Sequence, residues 1–230
     1  MVSLSLQSQR ATLPIVNEDR LHSPAAERNR QPILAELQRL LPATGTLLEI
    51  ASGTGQHAAY LSSGLPGWQW LPSDSDPASL RSIRAWCDGL DRVHAPLPLD
   101  VSSPQWSGVP ARVDAVFCAN MIHIAPWACC AALMRGAAHH LSPRGLLISY
   151  GPYLEDHVPT SPGNLAFDAD LRARNPAWGL RRLESVAHEA GRVGFVLRER
   201  VAMPANNLLL VWGRDPANRQ GPGPALASPT

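Results

Sequence analysis

The sequence predicts an α/β protein with one doubly wound, mostly parallel β-sheet that ends in an antiparallel hairpin. Short apolar runs alternate with segments of helical periodicity along most of the chain, and this alternation is typical of parallel sheets. The first such run, residues 47–50, leads at once into Gly53 and Gly55. Two further apolar runs, residues 193–204 and 206–214, are separated only by a tight connection, which is typical of an antiparallel pair.

Composition favours a single domain and argues against several classes of function. The chain has 230 residues, of which 45% are hydrophobic and 17% charged, and this suits one core. We assign the domain to residues 21–214, with a flexible tail at 1–20 and a disordered tail at 215–230. A net charge of +1 does not favour nucleic acid or an anionic membrane as a partner. No segment reaches the ~20 apolar residues of a membrane span, and residues 1–20 lack the features of a targeting signal.

The cysteines give no sign of a metal site. The four of them form no C-x-x-C pair and no His/Cys spacing that suits zinc. We therefore expect no metal and a reduced, cytoplasmic protein.

The first predicted helix begins at a clear signal. Ser23 is a helix-capping residue and Pro24 suits the first helical position. Pro32 is expected to separate a first turn from a packing helix that begins near Gln31. The polar residues of that first turn are Glu27, Arg28 and Asn29. Their spacing alone is compatible with a solvated helix start as well as with a functional turn.

Residues 47–57 read as a buried strand, a glycine turn and the start of a helix over residues 56–63. Glycines at the end of a buried strand let polar ligand atoms approach the backbone, and the next helix offers unpaired N–H groups. This pattern predicts a nucleotide-type site. A dinucleotide motif would have a third glycine at position 58, where Ala58 stands, and alanine is accepted there. The spacing therefore does not exclude a dinucleotide-binding site.

A carboxylate follows the second predicted strand at an informative distance. Asp74 stands about 20 residues after the glycine turn, where a carboxylate that binds ribose hydroxyls is expected. The alternative is that Asp74 or Asp76 only caps the helix predicted at residues 77–90.

The remaining strands bring further polar residues to the same edge of the sheet. A third strand is predicted at residues 93–99, a fourth at 113–120 and a fifth near 146–153, with a helix between the last two that closes in a turn at residues 142–145. Ligands of such sheets bind outside the carboxyl ends of the strands. The residues at these ends are Glu49, Gly53, Gly55, Asp74, Asp100, Asn120 and Tyr150.

Residues 154–180 break the alternation. They are rich in turn-forming residues and show no strand pattern. Long irregular segments in compact domains commonly act as lids or binding elements. We therefore predict a lid here, followed by a helix that ends at Gly191 and by the two strands of the hairpin.

Seven motifs spread over residues 21–214 occur together: SPAAERNRQPIL, LEIASGTGQHA, WQWLPSDSDP, FCANMIHIAPW, YGPY, SPGNLAFDADLRARNPAWGLRRLE and MPANNLLLVW. In this combination the chain resembles the class I S-adenosylmethionine-dependent methyltransferases. More narrowly, it is similar to a methyltransferase-like family long described as a domain of unknown function. The resemblance implies a Rossmann-like, seven-stranded sheet, S-adenosyl-L-methionine as the cofactor, and methyl transfer.

The resemblance also implies which residues bind the cofactor. Asp74 corresponds to the carboxylate that holds the ribose, and Asp100 to the residue beside the adenine amine. Ala51 replaces a glycine that is usual in class I enzymes, so its backbone must tolerate a Cβ. The full implied set is Arg28, Asn29, Glu49, Ala51, Gly53, Gly55, His57, Asp74, Asp100, Asn120 and Met121.

The acceptor side is implied less specifically. Asn120 is followed by Met-Ile-His and not by the Pro-Pro-aromatic sequence of amino methyltransferases that act on nucleic-acid bases, which favours a small-molecule substrate. His123 is a candidate base, or else a packing histidine. Tyr150 and Tyr153 end the fifth strand, where a phenol could orient the acceptor. The candidate catalytic residues are therefore His123, Tyr150 and Tyr153, and the lid offers Asn164, Phe167, Asp168 and Arg172 for substrate binding.

Two other functions remain open from the sequence. An NAD(P)-dependent oxidoreductase would use the same glycine turn and Asp74, but it would have a sixth parallel strand where the hairpin is predicted. A catalytically silent binding protein would keep the fold without the chemistry.

Overall fold

The computed structural model describes residues 18–215, so most of the two predicted tails, residues 1–17 and 216–230, lies outside the described residues. The strands are β1 (Gly45–Ile50), β2 (Trp68–Asp74), β3 (Leu97–Pro98), β4 (Val113–Ala119), β5 (Leu141–Gly151), β6 (Tyr153–Leu154), β7 (Arg181–Arg182), β8 (Phe195–Met203) and β9 (Asn207–Arg214). The helices are α1 (Pro24–Leu40), α2 (Gln56–Ser63), α3 (Pro77–Cys87), α4 (Ala128–His140), α5 (Pro162–Arg174) and α6 (Leu183–Gly191), with 3₁₀ turns at Met121–His123 and Pro204–Asn206. Within this described part of the chain, no helix has both the length and the apolar character needed to cross a bilayer.

Seven strands form one sheet in the order β3-β2-β1-β4-β5-β9-β8. The five strands from β3 to β5 pair in parallel. Strand β9 pairs antiparallel with both β5 and β8. The sequence-based prediction of a mostly parallel, doubly wound sheet with a closing hairpin is confirmed.

The sheet is covered on both faces because its central strands bury alternate residues on opposite sides. Leu47 and Phe117 pack in one cluster with residues of α1 and α2. Leu48 and Val116 pack in the other cluster with residues of α4 and α6. The two cores hold the carboxyl ends of the parallel strands at a common rim.

Helix α1 runs without a break from Pro24 to Leu40, so the predicted interruption at Pro32 is wrong. Ser23 does cap the helix, because its Oγ accepts a hydrogen bond from the N–H of Ala26 at 3.3 Å. Ala26 before the proline and Ile33 after it are both buried. Packing on both sides of Pro32 therefore outweighs the loss of one backbone donor.

The third strand is much shorter than predicted. Only Leu97 and Pro98 pair with β2, and Val93 forms an isolated bridge with Trp70. Pro96 and Pro98 have no N–H to donate, which limits the ladder at this edge of the sheet. Helix α3 ends at Cys87, three residues before its predicted end.

A predicted turn and the predicted irregular lid both prove to contain regular structure. Residues 142–145 lie inside β5, at the point where its pairing register with β4 shifts, instead of in a turn after α4. Residues 154–180 contain the 13-residue helix α5, which the sequence analysis missed. The signal was present, because Ser161 and Pro162 repeat the cap and first position that begin α1.

Candidate functional site

The turn between β1 and α2 has the backbone of a ligand-binding loop. Ala51, Gly53 and Gly55 all adopt left-handed conformations, with φ of 53°, 56° and 86°. A Cβ added to Gly53 would meet no atom within 4 Å, whereas one added to Gly55 would lie 2.7 Å from the Cα of Ile83. Gly55 therefore allows α2 to pack against α3, and Gly53 presents open backbone to a ligand.

Asp74 links this turn to the end of β2. Its Oδ2 accepts a hydrogen bond from the N–H of Gly53 at 2.9 Å, and its Oδ1 accepts one from the N–H of Asp76 at 2.9 Å. The cap of α3 is Asp76, whose carboxylate accepts from the N–H of Ser79 at 2.9 Å. The two carboxylates thus have different tasks, and Asp74 is the one that faces the glycine turn.

Glu49 lies beneath the turn and is only 2% exposed. Its Oε2 accepts a hydrogen bond from Nε1 of Trp70 at 2.7 Å. Burial raises the pKa of Glu49 to about 8, and the nearby Asp74 carboxylate adds to this effect. The side chain is therefore mostly protonated at neutral pH.

The first turn of α1 is bonded to α2 and lies near the end of β5. The N–H of Ser23 donates to Oε1 of Gln56 at 2.5 Å, and Nε2 of His57 donates to Oδ1 of Asn29 at 2.7 Å. The Asn29 side chain also lies near the phenol of Tyr150, where it acts to lower the pKa of the phenol. Burial lowers the pKa of His57 to about 4, so the imidazole in this chain is neutral. Asn29 is thus bonded to α2, and a purely solvated first turn is ruled out for this residue.

Arg28 and Asp100 lie at the exposed margin of the rim. Arg28 is close enough to Tyr150 to favour the ionised phenol electrostatically, although burial of the phenol has the larger effect and raises its pKa. Oδ1 of Asp100 accepts from both the N–H and the Oγ–H of Ser102, at 2.8 and 2.7 Å.

Asn120 and His123 occupy the turn after β4. Asn120 is in a left-handed conformation with φ of 62°, and its N–H donates to the carbonyl of Tyr150 at 2.8 Å. His123 is 1% exposed, and neither ring nitrogen has a hydrogen-bond partner among the described residues. A Cβ added to Gly151 would lie 2.5 Å from its Nε2. The imidazole therefore depends on the glycine at the end of β5 for its position.

The pKa of His123 is lowered to about 3, chiefly by burial. The positive charge of Arg181 adds to the effect, while the Gly179 backbone and the Asp168 carboxylate act weakly in the opposite direction. His123 is consequently a neutral imidazole over the physiological pH range.

Arg181 holds the His123 turn in place, and the sequence analysis missed it. Its guanidinium donates to the carbonyls of Ile122 and Ala125, at 2.9 and 2.7 Å. The N–H of Gly179 donates to the carbonyl of His123 at 2.9 Å. These contacts join segments more than 50 residues apart, and the only signal in the sequence was the place of Arg181 in the longest motif.

The three predicted catalytic residues are not gathered at one point. The ring of Tyr153 packs edge-on against His123, with centroids 5.0 Å apart, and its hydroxyl donates to Oγ of Ser149 at 3.0 Å. Tyr150 packs in the other core cluster, on the side of α1. The two phenols therefore point to opposite faces of the sheet.

The predicted substrate residues lie on α5 and mostly serve to attach it. Asp168 accepts a hydrogen bond from the N–H of Leu180 at 2.7 Å and forms an ion pair with Arg172 at 2.8 Å. Nδ2 of Asn164 donates to the carbonyl of Asn206 at 3.0 Å. Phe167 is 41% exposed. Arg172 thus already has a carboxylate partner within the chain.

The fold is similar to that of several solved methyltransferases. Mitomycin 7-O-methyltransferase MmcR matches with a TM-score of 0.71 at 16% identity, over 83% of this chain and 54% of that chain. An O-methyltransferase family protein from Burkholderia thailandensis matches with a TM-score of 0.70 at 18% identity, over 83% and 57%. CalO1, a methyltransferase in calicheamicin biosynthesis solved in its SAH-bound form, matches with a TM-score of 0.64 at 16% identity, over 80% and 54%.

This chain spans little more than half the length of those three proteins. At these identities the likeness shows the fold, and it confirms the class I methyltransferase fold that the sequence resemblance implied. A family model described as "Protein of unknown function (DUF938)" matches residues 20–214. Because the match covers most of the sequence, the chain belongs to this family of proteins of unknown function.

Proposed function

We propose that this protein is an S-adenosylmethionine-dependent methyltransferase that acts on a small-molecule acceptor. The observation that carries the proposal is the open glycine turn tied to Asp74 at the carboxyl ends of β1 and β2. The similar solved structures include two O-methyltransferases and a further methyltransferase bound to SAH. Bound in this protein, the cofactor would supply an electrophilic methyl group on a sulfonium.

The residues at the rim fit this cofactor chemically. Gly53 offers open backbone beside the Asp74 carboxylate, whose oxygens keep lone pairs for two ribose hydroxyls. Ala51 already adopts the left-handed conformation that its place in the turn requires, despite its Cβ. We assign the adenine side to Asp100 and the methionine side to Asn120, Met121 and the first turn of α1. The first turn of α1 contributes Arg28 and Asn29. Glu49, Gly55 and His57 complete the proposed cofactor set.

The protein's own part in the reaction is placement and exclusion of water. Methyl transfer needs an acceptor atom in line with the methyl group, in a site from which bulk water is kept out. On the proposed acceptor side, the buried His123 packs against the ring of Tyr153. The imidazole is neutral and can accept a hydrogen bond, but its pKa of about 3 makes it a weak base. Tyr150, near Asn29, is proposed to orient ligands on the side of α1.

The oxidoreductase alternative is disfavoured by the topology. It predicted a sixth parallel strand, whereas β9 and β8 are antiparallel to their neighbours. A catalytically silent binding protein would keep the same cofactor site, so it is separated from an enzyme only by activity.

We further propose that the protein works in the cytoplasm, without a nucleic-acid partner. The net charge of +1 supports this, as do four free thiols, of which Cys118 and Cys130 are buried.

The test is calorimetric titration of the purified chain with S-adenosylmethionine, S-adenosylhomocysteine and NADPH in parallel. We expect both sulfur nucleosides to bind and NADPH not to bind. Binding of NADPH alone would overturn the proposal in favour of the oxidoreductase, and binding of none would favour a protein without cofactor chemistry.

A further inference from the structure

A small cavity lies between α5 and the tip of the β8–β9 hairpin, where two of the sequence motifs meet. Its volume is about 180 Å³, and its lining includes Tyr153, Val158, Asn164 and Asn207. Strand β9 begins here, and its Leu208 pairs with Gly151 at the end of β5. The cavity therefore opens at the same rim of the sheet as the proposed cofactor site.

The cavity carries no unbalanced charge. Its charged lining residues are Glu155 and Arg200, and these form a two-pronged ion pair with N–O distances of 2.6 and 2.7 Å. The Glu155 side chain is only 16% exposed. Binding a charged ligand here would cost free energy, because the ligand would lose its hydration and both charged side chains of the cavity are already paired with each other.

The polar side chains that line the cavity are uncharged amides and hydroxyls, apart from the ion pair. Nδ2 of Asn164 donates to the carbonyl of Asn206, and Nδ2 of Asn207 donates to the carbonyl of Pro204, each at 3.0 Å. Each amide nitrogen uses an N–H on the backbone, and the two amide oxygens can accept from a ligand. The hydroxyls of Thr160 and Ser161, which also line the cavity, can donate or accept. Tyr153, Val158 and Leu208 supply apolar surface around them. This lining suits a molecule with an apolar body and an O–H or N–H group.

One side chain separates the cavity from the buried imidazole. Tyr153 lines the cavity, and its ring also packs against His123. Helix α5 reaches from the cavity to the His123 turn. Its Asn164 lines the cavity, and its Asp168 accepts a hydrogen bond from the N–H of Leu180. The neighbouring Gly179 donates to the carbonyl of His123. A ligand in the cavity therefore lies under α5, one ring away from His123.

We propose that this cavity binds the methyl acceptor and that it selects a small, uncharged molecule with a hydroxyl or aromatic amine group. The inference rests on the methyltransferase function proposed above. A volume of 180 Å³ is below the range of about 300–1,000 Å³ of sites for drug-sized ligands, so the part of the acceptor that enters is about the size of a single ring.

The test uses three single-ring probes of similar size and different charge: phenol, benzoate and benzylammonium. Each is titrated into the full chain, and binding is followed by protein NMR. Val158→Trp fills the cavity from its mouth, where Val158 is 51% exposed. Leu165→Trp is the matched control, since Leu165 is 56% exposed on α5 and does not line the cavity. S-Adenosylhomocysteine is titrated into every variant to test the cofactor site separately.

We expect phenol to bind at least tenfold more tightly than either charged probe. Val158→Trp should weaken phenol binding at least tenfold, and Leu165→Trp should change it less than twofold. Glu155→Gln leaves Arg200 without its partner, so benzoate should gain at least fivefold while phenol stays within twofold.

Equal phenol binding in both tryptophan variants, or equal binding of the three probes, would overturn the inference even if S-adenosylhomocysteine binds normally. If S-adenosylhomocysteine binds neither the unaltered chain nor any of the variants, the proposed function is overturned, and the acceptor assignment with it.

Discussion

The backbone N–H of Gly53 donates to the carboxylate of Asp74 at 2.9 Å, so this side chain joins the glycine turn to the end of the neighbouring strand. Replacing Asp74 with alanine removes this acceptor and, if the cofactor assignment is right, the ligand of the ribose. We expect affinity for S-adenosylhomocysteine to fall at least tenfold, about 1.4 kcal/mol or more. Calorimetry measures the change.

Asp76→Ala is the matched control for this experiment. It removes the cap of α3 and should lower the free energy of unfolding by about 1 kcal/mol, with affinity within twofold of the unaltered chain. Wild-type affinity in the Asp74 variant would contradict the ribose assignment.

Gly151→Ala should displace His123. The added Cβ would lie 2.5 Å from Nε2 of His123 and 3.2 Å from Oδ1 of Asn120. We expect the free energy of unfolding to fall by about 1–3 kcal/mol because the site is overpacked, together with a loss of methyl transfer. Urea unfolding and a change in the His123 ring signals by NMR check this.

Gly163→Ala provides the comparison, since a Cβ there would meet no atom within 4 Å. In this exposed turn of α5 it should raise the free energy of unfolding slightly, by at most about 1 kcal/mol. Equal effects of the two substitutions would show that the close contact at Gly151 is absent.

His123 should make the fold sensitive to acid. Its folded pKa is about 3, against 6.5 for an unperturbed histidine, so below pH 6.5 the unfolded chain takes up a proton that the folded chain does not. From this group alone we expect the free energy of unfolding to decrease by about 2 kcal/mol between pH 6.5 and pH 5. Denaturant unfolding across this range measures the slope.

His123→Gln should make the free energy of unfolding depend less steeply on pH, by the equivalent of up to one bound proton. This holds whatever the effect of the substitution on stability at neutral pH. His157→Asn, on an exposed loop, should keep the original slope. An unchanged slope in the His123 variant would mean that the imidazole is protonated in the folded protein.

Glu49 should act in the opposite pH direction. Its folded pKa is raised to about 8 from 4.5, so the stability that its protonated form contributes is complete below pH 4.5 and is lost as the pH rises through 8. Glu49→Gln keeps the shape and an acceptor for Trp70 but cannot ionise. Relative to the unaltered chain, the variant should gain on the order of 2–4 kcal/mol in free energy of unfolding between pH 5 and pH 9. No relative gain over this interval would show that Glu49 is ionised in the fold at neutral pH.

The sheet could be predicted from the sequence because its signals are local. Apolar runs and glycines mark the strands and the first turn, and the bounds of α2 are correct to the residue. Helix α5 was missed because only Leu171 of its residues is buried, so it has no apolar stripe to reveal it. Its cap and proline were there to be read, but they lay within a segment rich in turn residues.

The candidate site was predictable only in outline. Strands β1 and β2 are neighbours in the sheet, so Asp74 at the end of β2 lies beside the glycine turn at the end of β1. The spacing of about 20 residues is the length of the helix and strand between them, which is why it could be recognised in the sequence. The surroundings of His123 could not be predicted in this way, because Gly151, Gly179 and Arg181 approach the His123 turn from distant parts of the chain. No local pattern specifies that an imidazole will be buried without a hydrogen-bond partner.

The position of β9 between β5 and β8 has a consequence for how this protein is made. The strand synthesised last of the seven is an interior one, and six of its eight residues are buried. Until it emerges from the ribosome, β5 keeps an unpaired edge, and its neighbouring apolar surface has nothing to cover it. A chain that stops after β8 would therefore lack a middle strand of its sheet, and β8 would have no strand to pair with.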